Sequence, residues 1–308
     1  MRALGSEKRK PALLPALALA LAGLSLAGPS PLVAQAVCSA SHSSPTLTQN
    51  GSIRTLPRGA GWLQVSLYRQ RADQFYNHLG SRQPFLADSE FRTRSAFVTG
   101  AVGLMHGLEL WAQAPYHHLR VDAASGSSTS TGFGDLRLAA RMGAELFGLH
   151  LPVAVRAGVK VPGSEFPVDA TVLPLSEGQT DFEMSVESGR TLGALPLYVV
   201  GWAGYRWRSE NEKAARRPGN ERFVHLALGG MVRDLRWELA ADGLWGLAPG
   251  AQGLILEGER RRLIQVIPTV GYRMGGGSVE LTGQIPVSGR SLPNGVGLSL
   301  GYRLAWGL

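Results

Sequence analysis

The sequence predicts an all-β fold, a transmembrane antiparallel up-and-down β-barrel of about twelve strands, on three observations. The chain ends in strict alternation: Val296, Leu298, Leu300, Tyr302, Leu304, Trp306 and Leu308 occupy every second position, opposite Gly297, Ser299, Gly301, Arg303 and Gly307. Successive strand side chains point to opposite faces, so these positions make one continuous apolar face backed by a small and polar one. Composition agrees, because 40 glycines in 308 residues, with 18% charged, suit a turn-rich β protein better than a helical one. Finally, the connectors between apolar-alternating segments are short and long in strict succession. A soluble sandwich has no cause to sort its loops this way; an outer-membrane barrel has tight periplasmic turns and long outer loops.

Residues 1–36 read as a secretory signal. Arg2, Lys8, Arg9 and Lys10 precede an apolar core over 12–27, and Ala34-Gln35-Ala36 offers a small-residue cleavage site. Gly23 interrupts the core and Gly28-Pro29 follows it with Pro31, which disfavours an uncleaved membrane helix. Cleavage before Val37 lowers the formal charge from +8 to +5, since four basic side chains and Glu7 leave together. Lys160 and Lys213 are then the only lysines, and arginine is the better bidentate partner for phosphate and carboxylate. That balance suits lipopolysaccharide phosphates or lumen ion pairs, and no nucleic-acid partner is expected of a secreted chain. Cys38 is the sole cysteine, so no intramolecular disulfide forms. Gln35 and Val37 fit a lipoprotein cleavage site poorly, which speaks against a lipid anchor on Cys38. Residues 37–60 begin Ser/Thr-rich and are expected to be a flexible periplasmic segment ahead of a barrel over 61–308.

Strands are expected over 61–71, 91–102, 108–119, 135–146, 151–161, 180–190, 197–208, 223–232, 235–246, 261–273, 278–286 and 296–308. Each has about ten residues, the length a tilted strand needs to cross a membrane, and an even count returns both ends to one side. Short connectors fall at 104–107, 147–150, 191–196, 233–234 and 274–277, and long ones at 72–90, 120–134, 162–180, 209–222, 247–260 and 287–295. Gly275-Gly276-Gly277 is a turn and not a phosphate cradle, because no helix follows it. No cofactor motif, nucleotide motif or energy-coupling domain is expected.

Parity then sorts side chains. Gly204-Tyr205-Arg206, Gly271-Tyr272-Arg273 and Gly301-Tyr302-Arg303 each send Tyr outward and Gly and Arg inward; with Trp207, Trp237 and Trp306 these tyrosines suit interfacial girdles. Inward charges concentrate on three strands as Arg137, Arg141, Arg156, Lys160, Asp181, Glu183 and Glu187. With the 147–150 turn as register marker, Arg141 lies beside Arg156, Arg137 beside Lys160, and Lys160 opposite Asp181. The cluster reads as a charged constriction whose transverse field orients solutes, as a salt-bridge network filling the barrel, or as both. On the first reading, neutralising Arg141 and Arg156 together alters ion selectivity. Small inward residues, including Ala139, Gly143, Ala154, Gly158, Ala227, Gly229 and Ala240, are expected to leave lumen space. Trp111 and Trp202 also point inward, as apolar contacts for an aromatic solute or as packing.

Several segments carry a family resemblance. Gly103-Leu104-Met105-His106-Gly107-Leu108-Glu109-Leu110 runs to Ala114-Pro115-Tyr116, followed by Gly132-Phe133-Gly134-Asp135-Leu136-Arg137-Leu138 and Gly158-Val159-Lys160-Val161-Pro162-Gly163. Gly178-Gln179-Thr180-Asp181-Phe182, Gly204-Tyr205-Arg206 and Pro286-Val287-Ser288-Gly289-Arg290 complete the set. In order and spacing this resembles the outer-membrane channel family associated with the meta-pathway of phenol degradation, over most of the mature chain. The resemblance implies passive passage of small hydrophobic or aromatic solutes through the cell outer membrane, although a fold does not fix its cargo. Expected partners are outer-membrane lipid and lipopolysaccharide, the solute, and the barrel-assembly machinery during biogenesis.

Two other roles compete. A lipid-modifying barrel enzyme needs a hydroxyl nucleophile, a histidine and an orienting group. The 233–234 hairpin places His225 near Asp242, with no serine obviously set to complete them. A structural barrel without transport is the other alternative. His117-His118 cannot share a metal ion, since adjacent strand residues face opposite ways. Arg208, Lys213, Arg216, Arg217 and Arg222 form a basic stretch expected to meet lipopolysaccharide phosphates or solvent. Leu308 stands where such barrels end in an aromatic, and Leu308→Phe is expected not to impair insertion.

Overall fold

The alternating segments pair in the order in which they occur. The computed structural model describes residues 54–85, 89–124, 126–169, 172–193 and 196–307; the expected signal segment 1–36, residues 37–53 and Leu308 lie outside the described residues. Twelve long strands follow one another: β1 (Gly61–Tyr76), β2 (Glu90–Met105), β3 (Leu108–Ala123), β4 (Leu136–Gly143), β5 (Val153–Val161) and β6 (Asp181–Thr191), then β7 (Leu197–Arg208), β8 (Glu221–Val232), β9 (Leu235–Gly246), β10 (Arg262–Met274), β11 (Gly277–Arg290) and β12 (Leu292–Trp306). Each is antiparallel to the next, and β12 returns to β1 from Gly61↔Trp306 to Tyr76↔Leu292. The closed sheet has no free edge, which is what lets strands cross a bilayer where no water can satisfy backbone groups.

Outward positions form an apolar belt. On β12, Val296, Leu298, Leu300 and Leu304 are exposed on the outer face. Leu300 pairs with Leu67 on β1 and Leu281 on β11, and all three are more than half exposed. In hydrocarbon each such leucine gains about 1.5–3 kcal/mol relative to water. Aromatic side chains tip the belt with their polar ends on backbone: Trp306 Nε1 donates to the Gly59 carbonyl at 3.1 Å, and the Tyr302 hydroxyl to the Gly275 carbonyl at 2.9 Å. That last carbonyl belongs to the β10 to β11 turn, where Gly275 (φ 60°) and Gly276 (φ 75°) both take the left-handed conformation a tight hairpin favours.

Several of the expected long loops carry hairpins, and two of them are long. Residues 287–295 carry β11 to Arg290 and β12 from Leu292, turning at Ser291 with φ 52°. Their prolines and glycines read as breakers, but Pro286 falls at a register shift, where Ile264 faces Ser288 and Gln265 faces Pro286. Val287 is the extra residue there, and a bulge tolerates a residue without an N–H. Residues 120–134 likewise fold back: β3 runs to Ala123, and a short strand, Gly126–Phe133, returns along it from Ala123↔Gly126 to Tyr116↔Phe133. The wall therefore rises beyond the apolar belt on the outer side.

The small inward residues do not all leave space. Ala154, Ala227 and Ala240 pack with Tyr198, Val200 and Ile267 in one apolar cluster inside the barrel. Tyr198 fills what Gly229 vacates, since a Cβ at Gly229 would lie 2.4 Å from its ring.

Candidate functional site

The lumen has two unlike walls, and strand register makes the first. The turn after β4 sets Arg141↔Arg156 and Arg137↔Lys160, and β5 sets Lys160↔Asp181, as expected from sequence. Side-by-side arginines are tolerable only with counter-charge between them. Glu187 supplies it, meeting Arg141 at 2.6 Å and Arg156 at 3.3 Å, while Arg141 also reaches Glu109 at 3.3 Å. Higher up, Lys160 lies 2.8 Å from Asp181 and 3.2 Å from Asp135 and also pairs with Glu177. Glu183 pairs with Arg206 at 3.0 Å, and Arg206 with Glu221 at 2.8 Å. Arg208 joins Asp181 and Glu221, each at 3.2 Å. Arg137 is buried beside them. Isolated buried ions are unfavourable by several kcal/mol each, so a network of this density is what permits them on one wall.

Several members were not legible as site residues. Glu177 comes from the long connector 162–180, which folds into the outer mouth: Asn211 Nδ2 donates to the Glu177 carbonyl at 2.8 Å, and Leu173 packs with Ala72, Phe91 and Leu119. Nothing periodic marks such a segment. Arg208, read in sequence with the exposed basic stretch, is buried because β7 continues its inward parity from Trp202 through Arg206.

The inward tryptophans are both engaged. Arg156 stands over the Trp111 ring at 5.9 Å, and Trp202 stacks on His225 with centroids 3.5 Å apart. His225 Nδ1 bonds Asp242, as the hairpin register predicts, and Gln265 steadies Asp242 at 3.3 Å. His225 Nε2, where a nucleophile would have to sit, has no hydrogen-bond partner among the described residues. His117 and His118 diverge, the first meeting Ser95 Oγ at 2.6 Å inside and the second Thr131 Oγ1 at 2.8 Å outside.

The lumen space lies mostly against the second wall, from β1 and β2 round to β9–β12, with Glu109 of β3 and Tyr198 of β7 closing its lower part. A vestibule of about 370 Å³ opens at the periplasmic end, lined by Leu56, Trp62, Tyr198, Arg236, Glu280 and Arg303 among others. Above it lies a chamber of about 100 Å³, lined by Tyr68, Phe97, Ile267, Thr269, Thr282 and Gln284 among others. Trp62, Arg236, Glu280 and Arg303 line both and make the waist between them. Glu280 bridges the two arginines, to Arg236 at 3.0 Å and Arg303 at 3.2 Å, while the Arg303 guanidinium sits 5.0 Å over the Trp62 ring. Leu56 reaches the vestibule because residues 54–60, part of the expected flexible segment, pack at the mouth. Leu56 is 4% exposed beside Trp62 and Trp111, and the Thr55 N–H and hydroxyl donate to Glu145 at 2.9 and 2.8 Å.

Known proteins share this architecture. Residues 89–302 match the model of a family described as putative MetA-pathway of phenol degradation. The crystal structure of an outer membrane channel from Pseudomonas putida F1 is similar with a TM-score of 0.67 at 18% identity, covering 84% of this chain and 100% of that one. The transport unit of the autotransporter AIDA-I from Escherichia coli scores 0.49 at 9% identity, covering 88% and 96%. The Ralstonia pickettii toluene transporter TbuX scores 0.42 at 8% identity, covering 81% and 90%. No curated protein sequence matches the chain.

Proposed function

The chain belongs to the family described as putative MetA-pathway of phenol degradation, and from that membership we propose a channel for passive diffusion of small hydrophobic or aromatic solutes across the outer membrane. The observation that carries this reading is the pair of neighbouring cavities, both lined by Trp62, Arg236, Glu280 and Arg303, inside a closed, outwardly apolar barrel. A vestibule of about 370 Å³ falls within the size range of small-molecule pockets. Passage through such a lumen makes and breaks no covalent bond, so no catalytic residue is assigned.

The lipid-modifying alternative finds less support. His225 is buried in the lumen under Trp202, away from the lipid boundary where an acyl chain would be met, and no hydroxyl bonds its Nε2 among the described residues. The exposed Arg217, in the connector, and Arg222, at the outer end of β8, are the cations of the basic stretch best disposed toward lipopolysaccharide phosphates.

Purified protein in liposomes tests both roles at once. Protein-dependent permeation of aromatic solutes without lipid hydrolysis is expected; hydrolysis without permeation reverses the ranking.

A further inference from the structure

The strand parity that makes the apolar belt also fixes what stands directly above it. On β1 the outward Leu63, Val65 and Leu67 are exposed, and the next outward residues are Arg69 and Arg71. β2 sets two more cations beside them, since Arg69 pairs with Arg94 and Arg71 with Arg92. β3 continues both rows, with His118 beside Arg94 and Arg120 beside Arg92, and the short strand Gly126–Phe133 ends them in Thr131 and Thr129. Two polar rows thus face away from the barrel on its outer side.

The upper row carries its own counter-charge. Glu90 meets Arg71 at 2.7 Å and Arg92 at 2.6 Å, and Asp122 meets Arg120 at 2.8 Å. In the lower row Arg69 and Arg94 are both exposed, lie directly opposite each other, and make no ion pair or hydrogen bond among the described residues. Like charges so placed repel. Arg69 also has the half-exposed Leu298 of β12 as its other register partner, so its guanidinium starts from a level where the belt is still apolar. A cation at that depth reaches for an anion at the interface. Tyr116, one outward position below His118, marks the same interface, packed edge-on to Phe133 with centroids 5.2 Å apart. Further down the same strands lies an apolar trough: in the row Leu63, Gly100, Ala112, Leu138, two small residues on β2 and β3 stand between leucines on β1 and β4.

We propose that Arg69 and Arg94 form an outward-facing site for a phosphate of lipopolysaccharide, with an acyl chain of the same lipid lying in the trough floored by Gly100 and Ala112. One phosphate between the two guanidiniums relieves their repulsion and accepts paired hydrogen bonds from each, a geometry that arginine offers and lysine does not. The cations and the trough lie in line along the same strands, so the ligand they fit is an anion joined to an apolar chain. Free phosphate has no part that answers to the trough. His118 Nδ1, bonded to Thr131 Oγ1 at 2.8 Å, borders the site with groups suited to the sugar that bears the phosphate. Arg222 lacks these features, since its register partners are Tyr205 and Trp245 and no second cation stands beside it in the sheet.

The site rests on the outer-membrane placement and not on what the lumen carries. Purified protein in detergent micelles, shown to be folded by heat-modifiable gel migration, is titrated with rough-type lipopolysaccharide, and the bound lipid is counted by native mass spectrometry. The half-saturating concentration should rise about tenfold for the double variant Arg69→Gln, Arg94→Gln, the loss of a charge-assisted contact. Arg69→Lys with Arg94→Lys keeps the charge without the fork and should raise it about threefold. Arg222→Gln should raise it about twofold at most. The unaltered protein should bind lipopolysaccharide stripped of its lipid phosphates about tenfold more weakly, and millimolar inorganic phosphate should not displace the intact lipid. Unchanged binding by the double glutamine variant, indifference to phosphate removal, an equal loss from Arg222→Gln, or full displacement by inorganic phosphate overturns the site. Any of these in a protein that conducts in planar bilayers leaves the channel standing, and the expected lipid binding in a protein that does not conduct leaves the site standing without the channel.

Discussion

Leu56 and Glu109, 53 positions apart, meet at the periplasmic mouth, where the Leu56 backbone N–H donates to Glu109 Oε2 at 2.9 Å. The other oxygen of the same carboxylate accepts Arg141 at 3.3 Å, and Arg141 holds Glu187. One side chain thus ties the segment before β1 to the ion-paired wall.

Cutting that tie should open the mouth. Hydrogen bonds to a charged group contribute about 1.5–3 kcal/mol, so Glu109→Gln combined with Glu145→Gln releases residues 54–57 in a larger fraction of molecules. Single-channel conductance is expected to rise and fluctuate more; a trace identical to the unaltered protein removes the tie.

Acid should do the same through Glu145. Burial disfavours its charge, but hydrogen bonds from the Thr55 N–H, its own N–H and the Thr55 hydroxyl, with the nearby Arg141 charge, outweigh this and hold its carboxyl below the ordinary value. A carboxyl lowered by docking stabilises the docked segment above its free pKa, and that contribution is lost as pH falls through the lowered one. Conductance should stay level from neutrality through mild acid and rise only below the ordinary carboxylate range, with Glu145→Gln abolishing the step.

Most of the wall was legible in the sequence and much of the lumen was not. Strand parity and the turn after β4 are local properties, so Arg141 beside Arg156 and Lys160 opposite Asp181 could be counted off residue by residue. Glu177 and Leu56 come from segments without period, whose places depend on what the finished barrel offers them. The waist was hidden differently. Arg303 was read as inward, but its partner Glu280 is the fourth residue of β11 and nothing local joins it to Arg236. Pro286 misled for a physical reason, since a bulge absorbed the residue that would have ended a regular strand.

Glu177→Gln should loosen the outer mouth. Glu177 is paired with Lys160 and approaches Arg208 to 2.5 Å, and breaking a buried pair from one side is destabilising by about 3–5 kcal/mol. A lower unfolding midpoint and faster proteolysis within 162–180 are expected. Unchanged values of both would show that the connector is held without this carboxylate.

Arg303→Gln should shift ion preference. At the waist Arg236 and Arg303 are balanced by Glu280 and by Glu238, which lines the chamber beside the waist and pairs with Arg236 at 2.9 Å, so losing one guanidinium leaves this group net negative. Fixed negative charge in a pore favours cations. Reversal potentials under a potassium chloride gradient should move toward cation selectivity, and movement the other way contradicts the assignment of the waist.

Leu300→Arg tests the belt. An arginine facing lipid near the midplane is unfavourable by about 2–4 kcal/mol, whereas Ser299→Ala, one residue away and inward, should have little effect on folding into vesicles. Equal effects from both would invalidate the outward parity of β12.

The division of the barrel into a paired wall and a neutral wall has a consequence for how its preference could change. Ion networks resist piecemeal alteration, because Asp181, Glu187 and Glu221 each answer to more than one cation. The hydroxyls and amides along β1–β3 and β10–β12 answer mostly to one another or to nothing. Half of the circumference is thus a chassis and half an interchangeable lining, so a channel of this build can be retuned to a new cargo one residue at a time without being rebuilt.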